Sequence, residues 1–213
     1  MRVKQELSYS QGLKDQSANH IAADRIVKEE DVSSINDLVE LVKGSYPRRL
    51  RMDATLTLAY VAEANPKLVD PHFKSLIGNL KDKVDRVAWG SMIALAHIVN
   101  LAPQKFYDEL PSILEAMENL SVVGRDHGFK ILVEVYKDDR FKDDVFPLLC
   151  EQLSMAPANQ LGQYTERLIS EISVDHMVAL RDLLESKRED LDNPHHIKRL
   201  DKNLMKLHKK LSE

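Results

Sequence analysis

Apolar residues recur along the chain at steps of three and four, and the stretches that carry them repeat at a fixed distance. Four segments start at the same phase, 37 residues apart: Leu50–Val61, Val87–Ile98, Gly124–Val135 and Leu161–Ile172. Their fifth position is small (Ala54, Ser91, Gly128, Thr165), and their ninth is a large aliphatic (Leu58, Leu95, Leu132, Ile169). Their twelfth is β-branched (Val61, Ile98, Val135, Ile172). Such steps place these positions on one stripe of an α-helix, and the small residue admits a neighbouring helix at close range. A second motif follows each segment. The octets Phe73–Leu80, Leu110–Met117, Phe146–Leu153 and Met177–Leu184 are apolar at positions one, four and eight. Position five is Ile77, Leu114 and Cys150, then Arg181, so the last unit is atypical. Ile35–Val42 fits the same octet, with a partner helix expected near Leu13–Val27.

Punctuation agrees with paired helices. Asn65-Pro66 and Ala102-Pro103 interrupt the chain after the first helix of two units, because a residue before proline is pushed out of helical geometry. Asp70-Pro71 and Asn193-Pro194 are predicted as N-cap and first helical residue. Ser34-x-x-Asp37 has the form of a capping box, Gly44 is the expected C-cap, and Asp175 is expected to cap its helix. No alternating β-type segment competes.

A helix-turn-helix unit of this length cannot bury its stripe alone, so neighbours must stack. The run Leu50-Arg51-x-x-Ala54-x-x-Thr57-Leu58-x-x-Val61 resembles the first helix of HEAT repeats, whose consensus is V-R-x-x-A-x-x-A-L-x-x-I. Val87, Ser91, Ala94, Leu95 and Ile98 match it again with Ala88 in place of the arginine; Arg125, Gly128, Ile131, Leu132 and Val135 restore it. The resemblance implies an all-α fold, a right-handed α-solenoid of about five HEAT-like helix pairs closed by a C-terminal capping helix. The chain is then a single repeat domain: an atypical N-terminal pair over residues 1–44, regular repeats over 45–186 and the cap over 187–213.

Composition narrows the chemistry. The 213 residues carry 30 Lys and Arg against 34 Asp and Glu, a net charge of −4, which argues against a general nucleic-acid binder. The single cysteine, Cys150, excludes an internal disulfide, a two-cysteine redox pair and a Cys-rich zinc site. Met1–His20 is polar, without the apolar core of a signal peptide, and no run is long enough for a membrane helix. A cytoplasmic protein with no membrane and no cofactor is the expectation.

In the family the resemblance points to, second helices line a concave face. With positions one, four, five and eight of the octet buried, positions three and six point outward at about 100° per residue. Position six reads Glu40, Gly78, Glu115, Glu151 and Asp182. Carboxylates repeating at roughly 10 Å, the diameter of a helix, have fields that partly add, which suits a Lys/Arg-rich segment of another protein. A merely solvated face is the competing interpretation. Position three reads Asp37, Ser75, Ser112, Leu148 and Ala179. Its apolar later members make either a contact patch or a surface covered by the last helix, and covering is the expectation. Pro194–Leu211 reads as that helix, with Ile197, Leu200, Leu204, Leu207 and Leu211 on a seam and a strongly basic outer face. Capping, oligomerisation through the seam, or an acidic partner on the basic face would each use it.

No metal site and no catalytic residue is expected. His195 and His196 diverge on a helix, and the neighbours Asp126-His127 and Asp175-His176 do not face each other. Cys150 occupies a core position, where a thiol is inert. HEAT-like oxygenases use His-Glu dipeptides, which this chain lacks. The enzyme alternative is a HEAT-like DNA glycosylase or another DNA-binding protein, but such glycosylases use a basic, tryptophan-rich groove. Here Trp89 is the one tryptophan, and the outward row is acidic. A non-enzymatic protein-interaction scaffold is the leading expectation, with a self-assembling structural protein as a further alternative.

Overall fold

In a computed structural model describing residues 1–212, the chain is helical with no strand among the described residues. Two compact units divide it, one spanning Met1–Ile131 and a second beginning at Leu132. The first unit holds α1 (Val3–Glu6), α2 (Ser17–Glu29), α3 (Val32–Lys43), α4 (Arg48–Ala64), α5 (Pro66–Val69), α6 (Phe73–Asn79) and α7 (Asp85–Ile98). It continues with α8 (Pro103–Asp108), α9 (Leu110–Asn119) and the start of α10 (Val122–Tyr136), in which the boundary falls. The second unit adds α11 (Lys142–Met155), α12 (Ala158–Glu171), α13 (Val174–Glu189) and α14 (Pro194–Leu211). No helix of the described chain is long and apolar enough to cross a membrane.

The repeat survives folding position by position. The fifth, ninth and twelfth residues of all four repeated segments are buried, from Ala54, Leu58 and Val61 to Thr165, Ile169 and Ile172, the last just past the end of α12. Each large aliphatic withdrawn from water in this way contributes about 1.5–3 kcal/mol. In the first unit α4 packs on α2, α3 and α7, and α6 packs on α7; in the second, α14 packs on α12 and α13. The small fifth residue has the expected purpose at Gly128, where an added Cβ would meet the Met117 Sδ of α9 at 2.5 Å.

Octet positions one, four and eight are buried in all five second helices. Position five departs from expectation: Val39 is buried, but Ile77, Leu114, Cys150 and Arg181 are only half-buried. Position five lies about 60° from position eight and about 100° from position four, at the edge of the buried stripe, so the neighbouring first helix reaches only one side of it.

Several caps differ from expectation. Asp31, not Ser34, caps α3: its carboxylate accepts the Ser34 N–H at 3.0 Å, and the helix starts a turn earlier than the capping-box pattern implies. Asp70 is already helical, at the head of a short 3₁₀ turn, and its carboxylate accepts from Lys105 Nζ at 2.8 Å instead of capping. Ser173 stands at the head of α13, which leaves Asp175 in the first turn. Asn193 caps α14 as predicted, accepting from His195 N at 2.9 Å, and Gly44 follows the end of α3. Arg51, the arginine of the repeat pattern, donates to the Val42 carbonyl at 2.7 Å and pairs with Asp82. It thereby ties the end of α3 to the α6–α7 turn.

Residues ahead of α2 are integral to the first unit. Val3 and Leu7 are fully buried. Tyr9 N donates to the buried Asp53 carboxylate at 2.8 Å, and Ser8 N to Asn19 Oδ1 at 2.8 Å. Arg25 gathers Glu6, Glu29 and Asp31 at 2.9, 2.8 and 2.7 Å.

Candidate interaction surface

All five position-six residues, Glu40, Gly78, Glu115, Glu151 and Asp182, are exposed, as the 100° step requires. Position three is less open than expected: Asp37, Ser75, Ser112 and Leu148 are half-buried, and only Ala179 is exposed. Asp37 lies 3.8 Å from the Met1 amino nitrogen, and the Ser112 hydroxyl donates to Glu109 at 3.0 Å. The last helix does not cover Ala179. α14 lies against α12 and α13 with Leu200, Leu204 and Leu207 buried, while Ile197 and Leu211 at the two ends of the seam are half-buried.

In the first unit, Glu115 projects from α9 into an open groove of about 360 Å³ shared with the α6–α7 turn. Leu80 and Ala116 form its floor, and Lys81, Asp82, Lys83 and Asn119 its polar rim. Lys81 Nζ lies 2.8 Å from the Glu115 carboxylate. Asp82 is held by Arg51 and accepts the Val84 N–H at 2.8 Å, which shapes the turn. Glu40, on α3, is exposed, and among the described residues no cation lies within ion-pair distance of it.

In the second unit Glu151 is likewise exposed without a cation among the described residues, whereas Asp182 pairs with its neighbour Arg181 at 2.6 Å. The acidic positions are therefore of two kinds: Glu40 and Glu151 unpaired, Glu115 and Asp182 paired. Exposed pairs of this sort are weak in water and screened by salt, so an incoming guanidinium or ammonium can exchange for the resident cation. The counter-ions were not foreseen. Lys81 belongs to the turn run Lys81-Asp82-Lys83, and that charge cluster was the available signal.

The remaining candidates resolve into structure. His176 stacks on Phe146 with ring centroids 4.0 Å apart, and its Nδ1 lies 3.1 Å from the Tyr136 hydroxyl and 3.3 Å from Ser173 Oγ. The same hydroxyl accepts the Ser173 N–H at 2.9 Å, and Asp143 lies 3.4 Å from His176 Nε2. This network clamps the α12–α13 turn onto α10 and α11. Burial raises the Cys150 thiol to about 11, which keeps it protonated at neutral pH. Burial, with Lys130 nearby, lowers the His97 pKa and favours its neutral form. Trp89 is half-buried on α7. Among the described residues no group of three or more His, Cys, Asp or Glu side chains is placed to hold a metal ion.

No family model and no curated protein matches the sequence. Among solved structures, the chain is similar to the crystal structure of an engineered protein. The superposition has a TM-score of 0.60 at 15% identity and covers 100% of this chain and 97% of the other. The likeness extends over the whole chain and concerns the fold alone.

Proposed function

We propose that the protein is a non-enzymatic interaction scaffold, its helix pairs continuing as a right-handed HEAT-type solenoid, that holds a Lys/Arg-rich segment of another protein on the outward positions of its second helices. The observation that carries this reading is the sixth octet position, exposed in all five second helices and acidic in four. Burial at positions one, four and eight fixes the rotation of each second helix, so the acidic position faces solvent by the same geometry each time. Glu40 and Glu151 offer carboxylates with no cation partner among the described residues, and Glu115 stands in an open groove of about 360 Å³. The single cysteine, which can form no internal disulfide, agrees with a reducing, cytoplasmic setting.

A fluorescent Arg/Lys-rich peptide titrated against the full chain tests the proposal. Glu115→Lys/Glu151→Lys should weaken binding roughly tenfold or more, in a salt-dependent manner. Both positions are exposed, so the melting temperature should hardly move. Equal affinity in the folded double variant would remove the acidic surface from the proposal.

A further inference from the structure

The outer face of α14 is the most one-sided charge distribution in the chain. Pro194–Leu211 contains six Lys or Arg and one Asp within a chain that is acidic as a whole. Packing divides the basic groups into two sets. Arg199 pairs with Glu166 at 2.7 Å, and Lys210 donates to the Ile169 carbonyl at 2.8 Å. These two, with Arg188 on Asp201, fasten the helix to its neighbours. Lys198, Lys202, Lys206 and Lys209 instead share the exposed face. They fall within about 80° of rotation and about 17 Å of axis. Among the described residues no carboxylate lies within ion-pair distance of Lys198, Lys202 or Lys206. Met205, 72% exposed, stands among them. With Pro194, Ile197, Lys198, Lys202 and Asp201, whose carboxylate is held by Arg188, it lines a shallow, mainly apolar depression of about 480 Å³.

We infer that this face docks a short acidic segment of a partner protein that also carries an apolar side chain. The lysines supply the charge complement, and the depression beside Met205 receives the apolar group. The stripe is about as long as five extended residues, which suits a short motif. A long polyanion fits less well, because the stripe ends after about 17 Å and matches only a few successive phosphates of such a backbone. A bilayer fits less well too: Leu200, Leu204 and Leu207 are buried, so only Met205 and the half-buried ends of the seam remain for the acyl region. This surface is separate from the acidic positions of the proposed function and stands or falls independently of them.

The experiment titrates the full chain with a labelled peptide of roughly ten residues built only from Glu and Leu. An all-Glu peptide of equal length, a short DNA duplex and phosphatidylserine vesicles serve as comparisons. Saturable binding of the Glu/Leu peptide is expected, weakened roughly tenfold or more by Lys202→Glu/Lys206→Glu. Met205→Ser should weaken the Glu/Leu peptide about threefold and leave the all-Glu peptide unchanged. Should the charge reversal perturb the fold, Lys198→Gln/Lys202→Gln provides the same comparison with a smaller loss. No saturable binding, or equal binding by a folded lysine variant, overturns the inference. So does tighter binding of the duplex or of the vesicles, which would assign the face to phosphate or to lipid.

Discussion

The two ends of the chain are finished with different balances of apolar and polar contact. At the C-terminus, α14 closes the second unit with a seam of leucines: Leu200 and Leu207 are fully buried and Leu204 nearly so. At the N-terminus, Val3 and Leu7 are likewise fully buried, and a polar network is added to them. Arg25 gathers three carboxylates within 2.9 Å, and Asp53, with 1% of its surface exposed, accepts the Tyr9 N–H across 44 residues of sequence. An apolar seam holds an element wherever the rest of its surface points. A polar network works only when each donor finds its acceptor, because an unpaired buried group costs about 1–3 kcal/mol. The first is tolerant in geometry and visible as a period; the second is exacting and leaves little trace in local sequence.

The contrast can be broken first at the seam. Leu207→Ala should cost about 2–5 kcal/mol, since the cavity adds to the lost transfer energy, and a lowered urea midpoint at constant slope is the expected signature. A cost below about 1 kcal/mol would mean that α14 adds little to the stability of its unit. At the other end, Asp53→Ala should cost about 1–3 kcal/mol by orphaning the Tyr9 N–H, with faster amide exchange concentrated in residues 7–16. Unaltered exchange there would show that Val3 and Leu7 anchor the segment without the carboxylate. The smallest change sharpens the comparison by reversing its sign. Among the described residues the buried Ser8 Oγ has no hydrogen-bond partner, while the Ser8 N–H is satisfied by Asn19. Ser8→Ala should therefore raise stability by up to about 1 kcal/mol in thermal melts. A loss instead would place an ordered water on that hydroxyl.

The same division runs through the candidate surface. The outward direction of Glu40, Glu115, Glu151 and Asp182 follows from octet periodicity, and all four are exposed. Their ionic state does not follow. Lys81 meets Glu115 because the α6–α7 turn carries it there, and that turn is shaped by Asp82 under the hold of Arg51 from α4. Likewise Asp31 took the place of the expected cap of α3: the Ser34 hydroxyl, Arg25 and the Ser34 N–H all donate to its carboxylate and hold it far below the usual range. Pair distances set by turns and long side chains depend on coordinates that no short sequence window contains.

By itself the sequence determined the helical class, the 37-residue register, the buried stripe of every first helix and the three buried positions of every second helix. Burial of an apolar periodic face is non-directional and needs only the right residues at the right phase. Only the tertiary structure decided that the residues ahead of α2 belong to the core, which carboxylates stand free, and which lysines of α14 are fasteners and which face solvent. Hydrogen bonds and ion pairs are short-ranged and directional, so they exist only once distant segments have been brought to within a few ångströms.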